Sequence, residues 1–129
     1  MHESPPRPSA GELEILRVLW SRGPSTVREV WQELSATRGT GYTTVLKLMQ
    51  IMAQKGLVQR DETQRAHQYE AAISDEDTQR GFVVDLLDRV FMGSAQRLLL
   101  RALETKQGRT EELDEIRALL DEYEKGKQE

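Results

Sequence analysis

Thr43, Lys47, Gln50 and Gln54 recur at spacings of four, three and four within TGYTTVLKLMQIMAQKG, residues 40–56. On a helix these spacings put all four on one face. That face offers a hydroxyl, an ammonium and two amides, and no carboxylate. Its chemistry is hydrogen-bond donation, and phosphates and base edges are the groups that accept it. Val45, Leu48, Met49 and Met52 make a second, apolar stripe that points inward. Thr40 is the expected N-cap, its hydroxyl accepting from an orphan backbone N–H. Gly56 suits the left-handed position beyond a C-terminus, and Lys55 complements the negative end of the helix dipole. An ordinary solvated helix shows the same two stripes, so the flanking segments must decide.

Two helices are expected before it. Ser9 and Glu12 fit a capping box, followed by a stripe of Leu13, Ile15, Leu16, Leu19 and Trp20. Gly23 and Pro24 end that helix. The next begins at Ser25 or Thr26, and Thr26 with Glu29 makes a second capping box. Val27, Val30, Trp31 and Leu34 then form one buried face. Residues 36–39, including Arg38, connect it to the central helix. Short helices joined by a tight turn, the second with a polar basic face, spell a helix-turn-helix. A generic three-helix core shares the apolar pattern.

The stretch after Gly56 sharpens the reading. LVQRD and AHQYEA read as two short strands, with residues 62–65 as the turn. A hairpin directly after such a helix is a wing. It carries Arg60, Arg65 and His67, placed to reach phosphates beside the helix. Arg60 and Arg65 are equally able to pair with Asp61 and Glu62.

Whole-chain properties set limits. The 129 residues carry a net charge of −4 and no cysteine. Disulfides, thiolate metal sites and cysteine nucleophiles are excluded, and the composition fits a cytoplasmic protein. Two histidines and no phosphate loop assemble no nucleophile–base–orienter set, so no enzyme, cofactor or metal site is expected. No apolar run is long enough to span a membrane. Residues 1–8 read as a flexible N-terminal arm without a secretory signal. The charge is uneven. Residues 36–69 hold 5 Lys/Arg against 2 Asp/Glu, while residues 71–129 hold 9 against 14. Local rather than total charge governs binding of a polyanion, because salt screens beyond roughly 8–10 Å.

The remaining segment predicts three helices. Ser74 with Asp75, Glu76 and Asp77 starts one that carries Phe82, Val83, Leu86, Leu87, Val90 and Phe91. Gly93 breaks it, and Ser94 caps a second with Leu98, Leu99, Leu100 and Leu103. Gln107 and Gly108 break again, and Thr110 caps a last helix with Leu113, Ile116, Leu119, Leu120 and Tyr123, ending near Gly126. Such wide apolar faces on so few residues are marginal alone. Burial against a second copy predicts a homodimer, with Phe82, Val83, Leu86, Leu87, Val90, Phe91, Leu99, Leu103, Leu113, Ile116 and Leu120 at its interface. The expected fold is mostly α: an N-terminal winged helix-turn-helix (three helices plus a β-hairpin wing) over residues 9–72, then a helical dimerisation region over 73–126.

GELEILRVLWSRGPSTVREVWQEL, YTTVLKLMQIMAQKGLV and RAHQYEA together resemble the penicillinase repressor family, the BlaI/MecI type, related to copper-responsive CopY repressors. Glu12, Trp20, Thr26, Thr44, Lys55, Gly56, Arg65 and Tyr69 carry the resemblance, which runs from Gly11 to Leu120. It implies a dimeric winged-helix transcriptional repressor bound to a palindromic operator in double-stranded DNA. It makes Thr43, Thr44 and Lys47 candidates for base or backbone contact and Arg65 and Tyr69 wing positions. The full expected DNA-binding set is Arg38, Tyr42, Thr43, Thr44, Lys47, Gln50, Lys55, Arg60, Arg65 and His67. The chain departs from the family at Lys47 and Ile51, where Thr and Arg are common, so the family's operator sequence does not carry over. Antibiotic-responsive members are cut at an Asn-Phe bond. Here the matching segment is Leu100-Arg101-Ala102-Leu103, so a regulatory protease would need another specificity. The copper branch's cysteine cluster is absent. The alternative reading is a winged-helix protein-interaction adaptor that does not bind DNA specifically.

Overall fold

A computed structural model describes residues 7–105 and 110–128. The element order is α1 (Ala10–Arg22), β1 (Ser25–Thr26), α2 (Val27–Arg38), α3 (Tyr42–Lys55), β2 (Val58–Asp61), β3 (Gln68–Ala71), α4 (Asp75–Arg89), α5 (Ala95–Thr105) and α6 (Thr110–Gln128). It is a mostly helical winged helix-turn-helix followed by helices, as the sequence predicts. The chain divides into two compact units, residues 1–85 and 86–129.

The first unit is built on capped helices. The Ser9 hydroxyl accepts from the Glu12 N–H while Glu12 accepts from the Ser9 N–H, and Thr26 and Glu29 repeat the arrangement on α2. Both boxes satisfy donors that a helix start otherwise leaves unpaired. α1 packs on α2, α3 and β3. The buried core takes Ile15, Leu16 and Leu19 from α1, Val27, Val30 and Leu34 from α2, and Val45, Met49 and Met52 from α3. Leu57, just before β2, and Val58 and Tyr69 of the sheet close it. Trp31, expected in the buried face, is only partly buried. Each such side chain contributes about 1.5–3 kcal/mol by leaving water.

Other details of the first unit and of α4 depart from the sequence reading. α3 is capped by Gly41 in extended backbone with no side-chain cap bond, so Thr40 does not cap it. Gly41 follows Thr40 directly and takes the extended backbone of an N-cap (φ −75°, ψ 152°). Ser25 and Thr26 form a strand before α2, and the sheet has three strands in the order β1-β3-β2, all antiparallel. Ser25 pairs with Tyr69, so β3 is bonded on both edges. β3 starts at Gln68, leaving His67 in the loop over 62–67 rather than on a strand. α4 ends at Arg89, and Val90 and Phe91 lie in the turn that follows, where Met92 (φ 51°) and Gly93 (φ 80°) both take positive φ.

In the second unit the Ser94 hydroxyl accepts from the Arg97 N–H, the expected cap of α5. α6 runs to Gln128, past the stop expected at Gly126. The expected break at Gln107 and Gly108 lies outside the described residues, as do residues 1–6 of the arm expected over 1–8; its last two residues are not loose, since Pro8 is buried and the Arg7 Nε–H donates to the Gly81 carbonyl at 2.8 Å. The Thr110 cap also rests on a side chain outside those described. Among the described residues, no helix is long and apolar enough to cross a membrane.

Candidate nucleic-acid interface

The outward face of α3 is the one the spacing predicts. Thr43, Thr44, Lys47, Gln50 and Gln54 are all exposed, while Val45, Met49 and Met52 are buried beneath them. No residue of α3 is acidic. At the entry of α3, the Tyr42 ring stands edge-on to Trp31 of α2, with centroids 5.8 Å apart and planes at 83°. An edge-to-face pair of this kind fixes ring direction as well as burying area. At the exit, Gly56 (φ 83°) donates to the Ala53 carbonyl and Leu57 to the Met52 carbonyl at 2.9 Å. These two bonds make a Schellman stop and turn the chain straight into β2.

The wing is β2, the loop over 62–67 and β3. The Thr63 N–H and hydroxyl donate to Asp61 at 2.9 and 2.7 Å, which closes the turn and holds the Asp61 carboxyl below its ordinary pKa. Arg60 is bonded by the Tyr69 side chain and then by Glu62, which together raise its pKa. Tyr69 lies on β3 of the wing, as the resemblance implies, and is buried there as part of the core.

The cations divide into two groups. Arg38 pairs with Glu14 of α1 at 2.9 Å, Arg60 with Glu62, and Lys55 with Glu12 at 3.0 Å. Lys47 and Arg65 are exposed, and among the described residues neither has an ion pair. His67 is exposed in the wing loop and adds a weaker field that lowers the Asp61 pKa. The structure therefore puts Tyr42, Thr43, Thr44, Lys47 and Gln50 on one helix and Arg60, Arg65 and His67 on the wing that follows it. Arg38 and Lys55 lie at the end of α2 and of α3, each tied to a carboxylate of α1.

Sequence reasoning missed Arg28. It is exposed in the first turn of α2, directly after the strand that borders β3, and has no ion pair among the described residues. The signal was its position inside the Thr26–Glu29 capping box, in the first turn of the second helix. The expected interface residues of the C-terminal helices are largely open in the single chain. Phe82, Val83, Leu86, Leu99 and Leu103 are exposed, as are Leu120 and Val90, the last at 62%. Leu87, Phe91, Leu113 and Ile116 are partly buried.

Comparison with known proteins bears on this arrangement. The sequence profile of the penicillinase repressor family matches residues 8–122. Over 120 residues the chain is 38% identical to the transcriptional regulator BlaI of Mycobacterium tuberculosis, covering 90% of this chain and 86% of that one. Over 124 residues it is 27% identical to the penicillinase repressor of Bacillus licheniformis, covering 96% and 97%. The solution structure of the DNA-binding domain of the repressor BlaI aligns with a TM-score of 0.51 at 27% identity, over 60% of this chain and 93% of that one. Monomeric Bacillus licheniformis BlaI in complex with the blaP half-operator aligns with a TM-score of 0.50 at 27% identity, over 57% and 89%. With the winged helix-turn-helix in place and the profile spanning nearly all of it, the chain belongs to the penicillinase repressor family of DNA-binding transcriptional regulators.

Proposed function

We propose that this protein is a homodimeric, sequence-specific transcriptional repressor that lays α3 in the major groove of a palindromic operator. The observation that carries the reading is the outward face of α3. Its residues are exposed, none of them is acidic, and Lys47 at its centre has no ion pair among the described residues. Thr43, Thr44, Lys47 and Gln50 read base edges or adjacent phosphates, and Tyr42 borders the phosphates at the helix entry. Arg65 and His67 reach the backbone from the wing, and Arg28 does so from the first turn of α2. Arg38 and Arg60 contact DNA only by exchanging their carboxylate partners for phosphate. The exposed apolar faces of α4, α5 and α6 support pairing with a second copy, which sets the spacing of two α3 helices. Occupancy of the operator then blocks polymerase. The relatives' names as transcriptional regulator and penicillinase repressor support this direction of control.

The test is fluorescence anisotropy of the full chain on a labelled duplex from upstream of its own gene, against a shuffled duplex, at two salt concentrations. Preference for the native duplex, a two-fold symmetric footprint and a steep salt slope are expected. If neither duplex is preferred, a selection of bound genomic fragments supplies the next probe. Failure to enrich any sequence would turn the reading to the adaptor.

A further inference from the structure

The N-terminal turn of α1 forms a seat for α3. Glu12 is 1% exposed, which is unusual for a capping carboxylate. Its counterpart on α2, Glu29, keeps 39% of its side chain in solvent and meets Arg22 there. Capping uses one oxygen of Glu12, which accepts from the Ser9 N–H at 2.8 Å. Both oxygens lie 3.0 Å from Nζ of Lys55, the last residue of α3. A second contact sits beside the first. A Cβ at Gly11 would stand 3.3 Å from Cδ1 of Leu48, so α1 approaches α3 more closely than most side chains permit. Leu48 and Lys55 are seven residues apart and share one face of α3. Adjacent residues of α1 thus grip α3 at two points along its length. Local capping explains neither the burial of Glu12 nor the bare Cα of Gly11.

We infer that Glu12 is a positioning residue for DNA reading: through Lys55, and with Gly11 against Leu48, it fixes the height and rotation of α3 relative to the rest of the first unit. Lys55, whose side chain is 38% exposed, acts through the buried Glu12 carboxylate and makes no phosphate contact. This inference rests on α3 being the reading helix. A buried carboxylate left without its cation, or the converse, is strongly unfavourable, so the pair holds one arrangement. Orientation matters to the reader because base contacts depend on the placement of side chains a few ångströms long.

The experiment uses the full chain and the duplex of highest affinity from the genomic selection, with Glu12→Gln, Lys55→Met, Lys55→Arg and the Glu12→Gln/Lys55→Met double variant. Both single charge removals should weaken binding about tenfold, and the double variant no more than either single one, because coupled residues do not add. Lys55→Arg should restore binding to within about threefold, since it keeps the charge on a similar stem. The slope of log affinity on log salt should be unchanged in Lys55→Met, whereas Arg65→Ala should lower it by about 1. Amide hydrogen exchange without DNA supplies a separate readout: residues 54–57 should exchange faster in Glu12→Gln while α2 does not. A salt slope lowered by about 1 in Lys55→Met, wild-type affinity in a folded Glu12→Gln, or unchanged exchange at 54–57 would overturn the inference. If Glu12→Gln does not fold, Lys55→Met and Lys55→Arg decide it. If the wild-type chain prefers no DNA, the reading of α3 falls, and the exchange measurement still judges the seat.

Discussion

The indole Nε1–H of Trp20 donates to the backbone carbonyl of Ile73 at 2.9 Å, joining α1 to the segment between β3 and α4. The bond ties the end of the wing to the helix that supports α3. Trp20→Phe keeps most of the ring and leaves that carbonyl without its donor. The variant should lose about 1–2 kcal/mol of stability in denaturant titration, with an unchanged far-ultraviolet spectrum.

Lys47→Ala should cost about 1–3 kcal/mol of operator binding, and the loss should vary among operator variants if Lys47 reads a base. Arg65→Ala should instead weaken all sequences alike and lower the salt slope by about 1. Anisotropy titrations on a small panel of duplexes separate the two behaviours.

Stability should fall in acid, and two capping carboxylates account for part of the loss. Burial pushes the Glu12 pKa up, but the Ser9 N–H, the Lys55 ammonium and the Ser9 hydroxyl outweigh it and hold the group below its usual 4.5. Glu29 is held low first by the Thr26 N–H, then by its hydroxyl and by Arg22 of α1. For both, the folded pKa lies below the unfolded one. Their stabilisation is therefore complete above the unfolded value and is lost as pH falls through the folded value. Melting temperature should drop on acidification below about pH 4.5, and Glu12→Gln should flatten that limb.

Gly56 takes φ 83°, and a Cβ there would meet nothing within 4 Å. The cost of Gly56→Ala is therefore one of backbone conformation alone. It should destabilise by about 1–2 kcal/mol in denaturant titration, while Gly126→Ala, within α6, should not destabilise.

Sedimentation of the full chain should show a dimer at micromolar concentration. Leu103→Glu and Leu120→Glu, each on an exposed apolar position, should shift it towards monomer. The same variants should weaken operator binding without altering the fold of the first unit, as judged by near-ultraviolet signals from Trp20 and Trp31.

Most of the winged helix was legible in the sequence because its signals are local. Ser9 with Glu12, and Thr26 with Glu29, lie three residues apart, and the α3 stripes repeat within four. What was missed depends on distant partners or on very short elements. β1 is two residues long, too short for any period, and Thr26 had already been explained as a cap. Glu12 and Lys55 stand 43 residues apart, and each had a sufficient local role, one as a capping carboxylate and the other at a helix dipole. Their meeting is visible only in three dimensions. The same holds for Arg38 and Glu14. The cations that sequence counted together as a basic surface are separated by whether an acid of α1 or of the wing reaches them.

The strand order β1-β3-β2 bears on biosynthesis. The middle strand is the last of the three to be made, and it carries Tyr69, which is part of the core. A nascent chain that has released residues 9–56 from the ribosome has all of α3 but neither the hairpin beside it nor the partner of Ser25. The first unit therefore acquires its final shape only after β3 emerges. Until then the edge of β1 is unpaired and the core lacks Tyr69, the interval in which a slow translation step would most expose the chain to misassembly.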